Sequence, residues 1–215
     1  MSMDLANQVA EKLLQINAIK LNPQKPFTWA SGLRSPIYCD NRLALSYPDI
    51  RKFLIDAFVE ASASFAAFDY IAGVATAGIA HGALLADALH KPFAYVRPKA
   101  KTHGRKNLIE GHIPANAKVL VIEDLISTGG SSLKAVQAVR EIPAEVVGVM
   151  AIFSYGFEQS KAAFASENCP LHTLSNYDAL IEAALKSNYI TSSQQNSLKA
   201  WSENPQAWSK MFEDA

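Results

Sequence analysis

The sequence predicts an α/β protein with a central, mostly parallel sheet flanked by helices. Three observations carry this. Short apolar runs alternate with stretches of helical periodicity from about residue 70 to residue 175, the pattern of βαβ units. The run Val119, Leu120, Val121, Ile122 demands burial as a strand. A length of 215 residues suffices for one sizeable core but leaves little room for a second full domain.

The elements follow in order. Residues 4–18 carry Leu5, Val9, Leu13 and Ile16 at helical spacing, which predicts an amphipathic helix. Residues 22–48 contain Pro23, Pro26, Pro36 and Pro48, so extended, turn-rich chain is expected, with a strand around 36–39. Pro48 and Asp49 open a helix to about 65, with Ile50, Phe53, Leu54 and Ala57 on its inner face. Strands are then expected at 70–74, 93–96, 118–124, 145–153 and 171–175, with helices at 78–89, 129–141 and 157–166 between them. Two or three helices complete the chain from 177 onward.

Composition narrows the function classes. Twenty basic and twenty acidic residues cancel, so no global field recruits nucleic acid or a membrane surface. Any attraction for an anion must be local. The amino end lacks the basic start and apolar core of a secretory signal. No stretch approaches the roughly 18 uninterrupted apolar residues of a spanning helix. Cys39 and Cys169 are too few and too scattered for a disulfide framework or zinc site, which fits a reducing cytoplasm. His81, His90, His112 and His172 show no partners in sequence, and Cys39 reads as a buried small side chain.

The chemistry concentrates in "VLVIEDLISTGGSS", 119–132. A strand feeding small residues and then a helix presents unpaired backbone N–H groups, which with the helix dipole attract phosphate. Gly129 and Gly130 allow close backbone approach, and Ser127, Thr128 and Ser131 add hydroxyl donors. The spacing is neither G-x-x-x-x-G-K-[ST] nor G-x-G-x-x-G. Beside a phosphate, Glu123 and Asp124 must face something else, and ribose hydroxyls or a Mg²⁺-bound water would accept that role. An isolated S-T-G-G would read as an ordinary capped turn. The paired acids on the strand reverse that reading in favour of a sugar phosphate.

This stretch resembles the 5-phosphoribosyl-1-diphosphate (PRPP) motif of type I phosphoribosyltransferases: an apolar strand, two acids, two apolar residues and a small-residue loop. The resemblance implies a parallel sheet with a small hood over the site and Mg²⁺-PRPP as substrate. Residues Leu125, Ile126, Ser127, Thr128, Gly129, Gly130 and Ser131 would hold the 5′-phosphate, and Glu123 and Asp124 would meet the ribose hydroxyls. In "GVATAGIAHGALLA", 73–86, Thr76 and Ala77 stand where such enzymes bind pyrophosphate through backbone groups.

A local basic excess precedes the motif. "YVRPKAKTHGRKN", 95–107, holds Arg97, Lys99, Lys101, His103, Arg105 and Lys106 with no acid until Glu110. Its glycines and low apolar content predict a mobile lid over a polyanion. Few interleaved aromatics argue against nucleic-acid binding. Here the resemblance narrows to the orotate phosphoribosyltransferase branch, whose loop reads R-x-x-A-K-x-H-G; Arg97, Ala100, Lys101, His103 and Gly104 match. In that branch the loop crosses a dimer, so the 97–111 loop would act in trans on the partner's pyrophosphate. Lys101, His103 and Asp124 would be the catalytic residues.

"FTWASGLRSPIYCDNR", 27–42, also resembles this branch, although its aromatics read equally well as a small satellite core. Some members carry lysines where Ala30 and Ala77 stand, and a base-holding arginine where Tyr155 stands. Hood backbone around 36–38 (Ile37 and Tyr38) and Ser127 would then read orotate. The resemblance further implies one domain over 1–215: a hood of about 1–45, a core of about 46–176 and carboxyl-terminal helices, 177–213, packing nearby. Mg²⁺ would be held through PRPP and water rather than by direct ligands. The implied partners are PRPP, orotate and a second copy of the chain, with no nucleic acid and no membrane. Another base, or a non-catalytic PRPP-binding regulator, are the alternatives.

Overall fold

A computed structural model of the chain describes residues 3–99 and 108–212. Helix α1 (Met3–Gln15) leads into β1 (Ile19–Leu21), β2 (Phe27–Thr28), β3 (Arg34–Ser35) and β4 (Ile37–Cys39). These short strands form two antiparallel pairs, β1 with β4 and β2 with β3. The first helix ends three residues earlier than its periodicity implied. Asn17 adopts φ +57°, a conformation asparagine tolerates, and Ala18 and Ile16 fall inside the core beyond the last turn. A 3₁₀ turn over Asn41–Ser46, capped by the Asp40 carboxylate, precedes α2 (Pro48–Ser62).

The main body is β5 (Tyr70–Val74), α3 (Ala77–Ala88), β6 (Phe93–Val96), β7 (Ile109–Glu110), β8 (Lys118–Ile126), α4 (Gly130–Glu141), β9 (Glu145–Ser154), α5 (Glu158–Ser166) and β10 (Leu171–Asn176). Its six strands run in the order β10-β9-β8-β5-β6-β7, parallel except that β7 returns antiparallel to β6. Helices α6 (Tyr177–Lys186), α7 (Ser192–Glu203) and α8 (Pro205–Lys210) follow.

Alternation along β8 divides two cores. Leu120 and Ile122 enter a core shared with α1, α2, α6 and α7, whereas Val119 and Val121 enter the core under α4. Every one of these four side chains is fully buried. Burying four such side chains contributes about 6–12 kcal/mol of transfer free energy before entropy is subtracted. Expected strand 118–124 in fact runs to Ile126, because β9 pairs with it as far as Ile126 opposite Ser154. The acidic pair therefore lies within the strand rather than forming its last two residues. On the other side β5 pairs with β8 only as far as Gly73 opposite Ile122, so the acids emerge where one neighbouring strand stops.

Candidate active site

Successive residues of a strand face opposite ways, and the two acids follow that rule. Glu123 continues the Val119–Val121 row toward α4. Its carboxylate accepts hydrogen bonds from Ser131 Oγ at 3.3 Å, Ser132 Oγ at 3.4 Å and the Asp124 amide at 3.1 Å. Asp124 continues the Leu120–Ile122 row toward the 3₁₀ turn, where Arg42 lies close enough to favour its charged form. Burial, and secondarily repulsion from Asp124, pushes Glu123 up to about 8. Burial also raises Asp124, opposed by a hydrogen bond with Glu123. Burial thus disfavours the charged form of both carboxyl groups, Glu123 above all.

Beyond the acids the chain turns into α4 with Gly129 at φ +84°. A Cβ there would lie 2.8 Å from Phe164 Cε2, so glycine is required by both conformation and space. Gly130 differs. A Cβ on it would meet only Thr128 Oγ1, at 3.9 Å, so the protein's own packing leaves that space open. Thr128, Gly130 and Ser131 are exposed, Ser127 is half-buried and Ile126 is buried. The loop and the α4 amino terminus together present exposed hydroxyl groups and open backbone at the start of a helix, the kind of place where an anion can bind.

Thr76 and Ala77 occupy the corresponding turn after β5, one strand away, with Thr76 exposed. α3 packs against β8 here because Gly78 has no side chain: a Cβ would collide with the Ile122 carbonyl oxygen and lie 3.2 Å from Glu123 Cα. The two turns and the acidic pair are thereby locked into one surface at the carboxyl ends of β5 and β8, where parallel sheets bind ligands.

Arg97 lies at the base of the basic excursion. Its amide donates to the Leu108 carbonyl at 2.8 Å, and its guanidinium sits 3.4 Å from Glu110, both groups about a quarter to a third exposed. Lys101 and His103, with the rest of 100–107, lie outside the described residues. The Ile37 side chain is fully buried, and its amide is already engaged, donating to Ser35 Oγ at 3.2 Å. Tyr38 is 42% exposed and tilts against Phe27 at 5.8 Å. Among residues 36–38 Pro36 has no N–H and Tyr38 pairs with Lys20, so the backbone donors expected there are largely engaged.

One cleft was not foreseen as a whole from the sequence. A cleft of about 920 Å³ opens from Ser127 and Thr128 and ends at the α7–α8 junction, Ser202–Gln206. It does not include the acids or the 76–77 turn, so it extends the site away from the phosphate cradle. Tyr155 forms its floor, stacked on Trp29 at 5.4 Å and tilted on Phe157 at 5.5 Å. Fully buried Trp201 supports the floor edge-on from below. Such planar aromatic surface suits a planar ring. The carboxyl-terminal helices both pack on the body and wall this cleft, and Ser209 of α8 accepts the Arg34 amide at 2.9 Å. No sequence spacing links positions 29, 155 and 201, so only the fold brings them together.

Comparison with known proteins agrees with this arrangement. The phosphoribosyl transferase domain family matches residues 46–183. The orotate phosphoribosyltransferase of Listeria innocua is 53% identical over 209 residues, covering 97% of this chain and 100% of that protein. The chain belongs to the orotate phosphoribosyltransferase family. The orotate phosphoribosyltransferase of Cutibacterium acnes is 56% identical over 207 residues, 96% of each chain. Among solved structures of the family, the crystal structure of orotate phosphoribosyltransferase from Aeropyrum pernix superposes with a TM-score of 0.74 at 28% identity, covering 85% of this chain and 99% of that one. The fold is that of type I phosphoribosyltransferases.

Proposed function

We propose that this chain transfers the 5-phosphoribosyl group from PRPP to N1 of orotate, giving orotidine 5′-monophosphate and pyrophosphate in de novo pyrimidine (UMP) biosynthesis. The carrying observation is identity above one half, over nearly the whole chain, to enzymes named orotate phosphoribosyltransferase. The adjacent carboxylates and glycine-lined helix terminus supply the chemistry that such a transfer needs.

The 5′-phosphate lies in the cradle of Leu125, Ile126, Ser127, Thr128, Gly129, Gly130 and Ser131, receiving backbone N–H and hydroxyl donors. Glu123 and Asp124 accept hydrogen bonds from the ribose hydroxyls, and Thr76 and Ala77 meet the pyrophosphate through their backbone. Orotate lies toward Tyr155 and Ser127, with Ile37 and Tyr38, whose own amides are engaged within the hood, serving as its framework rather than as donors. Leaving-group departure gives the ribose oxocarbenium character while negative charge gathers on pyrophosphate. Positioning and electrostatic stabilisation therefore dominate over nucleophilic catalysis. The carboxylates of Glu123 and Asp124 stabilise the cationic ring, and Lys101 and His103 neutralise the leaving group. Loop 97–111 acts in trans across a homodimer. Arg97 joins it by exchanging Glu110 for the pyrophosphate.

Among the described residues no group of three His, Cys, Asp or Glu side chains converges as a metal site. Two adjacent carboxylates with remaining acceptor capacity fit Mg²⁺ brought in on PRPP and held through water. When bound, Mg²⁺ supplies neutralisation of the pyrophosphate oxygens. We read the chain as one domain: a hood of about 1–45, a core of about 46–176 and carboxyl-terminal helices beside the hood. No helix among the described residues is long and apolar enough to cross a membrane. A cytoplasmic setting fits the pathway.

The test is a spectrophotometric assay with PRPP and Mg²⁺, following orotate loss beside uracil, adenine and hypoxanthine. Turnover of orotate alone is expected. Turnover of another base would overturn the substrate, and PRPP binding without turnover would replace the enzyme with a regulator.

A further inference from the structure

Asn41 opens the 3₁₀ turn after β4 and is fully buried, an expensive place for an amide unless its partners repay the desolvation. Its Nδ2 donates to the backbone carbonyl of Asp124 at 2.8 Å, across 83 residues of sequence. Its Oδ1 accepts from Cys39 Sγ at 3.4 Å. Asp40 and Arg42 on either side are joined by a two-pronged ion pair, 2.6 and 2.9 Å, which fixes the turn that presents Asn41. On the far side His81 of α3 is fully buried against the Asn41 backbone, with neither ring nitrogen in hydrogen-bond geometry.

Asn41 is the one side chain among the described residues shown donating to the backbone of the acidic pair from outside β8. We propose that Asn41 is a positioning residue for PRPP: it ties the hood to Asp124 and holds that carboxylate at the ribose. The inference rests on the reading of the site given above. A buried amide that donates to a carbonyl cannot be replaced by a hydrocarbon without leaving the carbonyl and the Cys39 thiol short of partners. Loss of the bond frees the Asp124 backbone at the point where β5 has already ended, and displacement there misaligns the ribose. Orotate, held on the Tyr155 side, is less affected.

The test compares wild type, Asn41→Ala and Asn41→Asp in steady-state assays from pH 6 to pH 8, with thermal melts at each pH. Wild-type turnover of orotate with Mg²⁺-PRPP establishes the underlying reading separately; its failure would remove that reading, whatever the variants do. Given turnover, Asn41→Ala should lose about 10- to 100-fold in kcat/KM for PRPP, with KM for orotate changed less than about threefold. Asn41→Asp should match that loss at pH 8, where a carboxylate faces the Asp124 carbonyl. It should recover toward wild type as pH falls, because a protonated carboxyl again donates. Cys39, Asp40, Arg42, His81, Glu123 and Asp124 face position 41 and titrate or carry charge in all three proteins, so the variant-to-wild-type ratio isolates the new group. A PRPP kcat/KM within twofold of wild type in Asn41→Ala would overturn the proposal. So would an Asn41→Asp loss that does not recover on acidification while the melts show it folded. If Asn41→Ala does not fold, Asn41→Asp alone decides by the same pH ratio.

Discussion

Gly78→Ala should damage activity far more than its one added methyl would suggest. The new Cβ would overlap the Ile122 carbonyl oxygen and press on Glu123 Cα at 3.2 Å and Ile122 C at 3.3 Å. All three are backbone atoms of β8, so no side chain can rotate away. Restoring ordinary contact at 3.4–4 Å requires the start of α3 to retreat from the strand. A retreat of roughly 1 Å is the scale of misplacement that costs about 10²-fold in rate. It would separate the 76–77 turn from the acidic pair, the two surfaces that hold opposite ends of PRPP. Overpacking costs about 1–3 kcal/mol, offset by up to about 1 kcal/mol from replacing a helical glycine. For a chain of this size the net loss, up to about 3 kcal/mol, lowers Tm by up to about 12 °C. Gly130→Ala is the control. Its Cβ meets only Thr128 Oγ1, at 3.9 Å, so Tm should hold or rise slightly while PRPP binding weakens. Steady-state kinetics with thermal melts on both variants check this. Gly78→Ala with kcat/KM within twofold of wild type and an unchanged Tm would refute the close-packing argument.

Other outcomes follow from the same geometry. Burial lowers His81 to about 4, so the folded state rejects a proton that the unfolded chain binds. Its stability contribution is full above about 6.5 and is lost as pH falls toward 4, by at most about 3 kcal/mol; chemical denaturation of His81→Leu should show a shallower acid slope. Glu123 shifts the other way. Its raised value makes the folded state bind a proton more tightly, so stability declines as pH rises from about 4.5 toward 8. Melts of Glu123→Gln without substrate should exceed wild type at pH 8 and converge with it by pH 5. Trp201→Ala removes the support beneath Trp29, Tyr155 and Phe157 and should cost about 3–5 kcal/mol by denaturant titration, with Trp201→Phe far milder. Lys101→Ala should lose about 10²–10³ in rate without a change in Tm, since its proposed work is done only as charge develops.

Much of the fold was legible because its signals are local. Apolar strand runs, helical periodicity and Pro48 at the start of α2 placed the βαβ body within a few residues. Two-residue strands such as β2, β3 and β7 carry no periodicity to read, and they exist because a neighbour pairs with them. The site divides similarly. Glu123 to Ser131 are contiguous, and a strand, acids and a glycine turn state their purpose in sequence. The aromatic floor joins positions 29, 155 and 201, and Asn41 reaches Asp124 across the hood. Neither has a sequence signature, because each arises from how separate elements pack. Gly78 had a visible signal, a helix of small residues, but its reason lay in β8.

On the proposed function, β8 and the start of α4 hold the ribose 5-phosphate end of PRPP. Calorimetric titration of Mg²⁺-PRPP into wild type and Asp124→Asn, without orotate, is the deciding measurement. Wild type should bind saturably, with competition by ribose 5-phosphate, and the folded variant should bind about 10- to 100-fold more weakly. Equal affinity in the two proteins would contradict that placement.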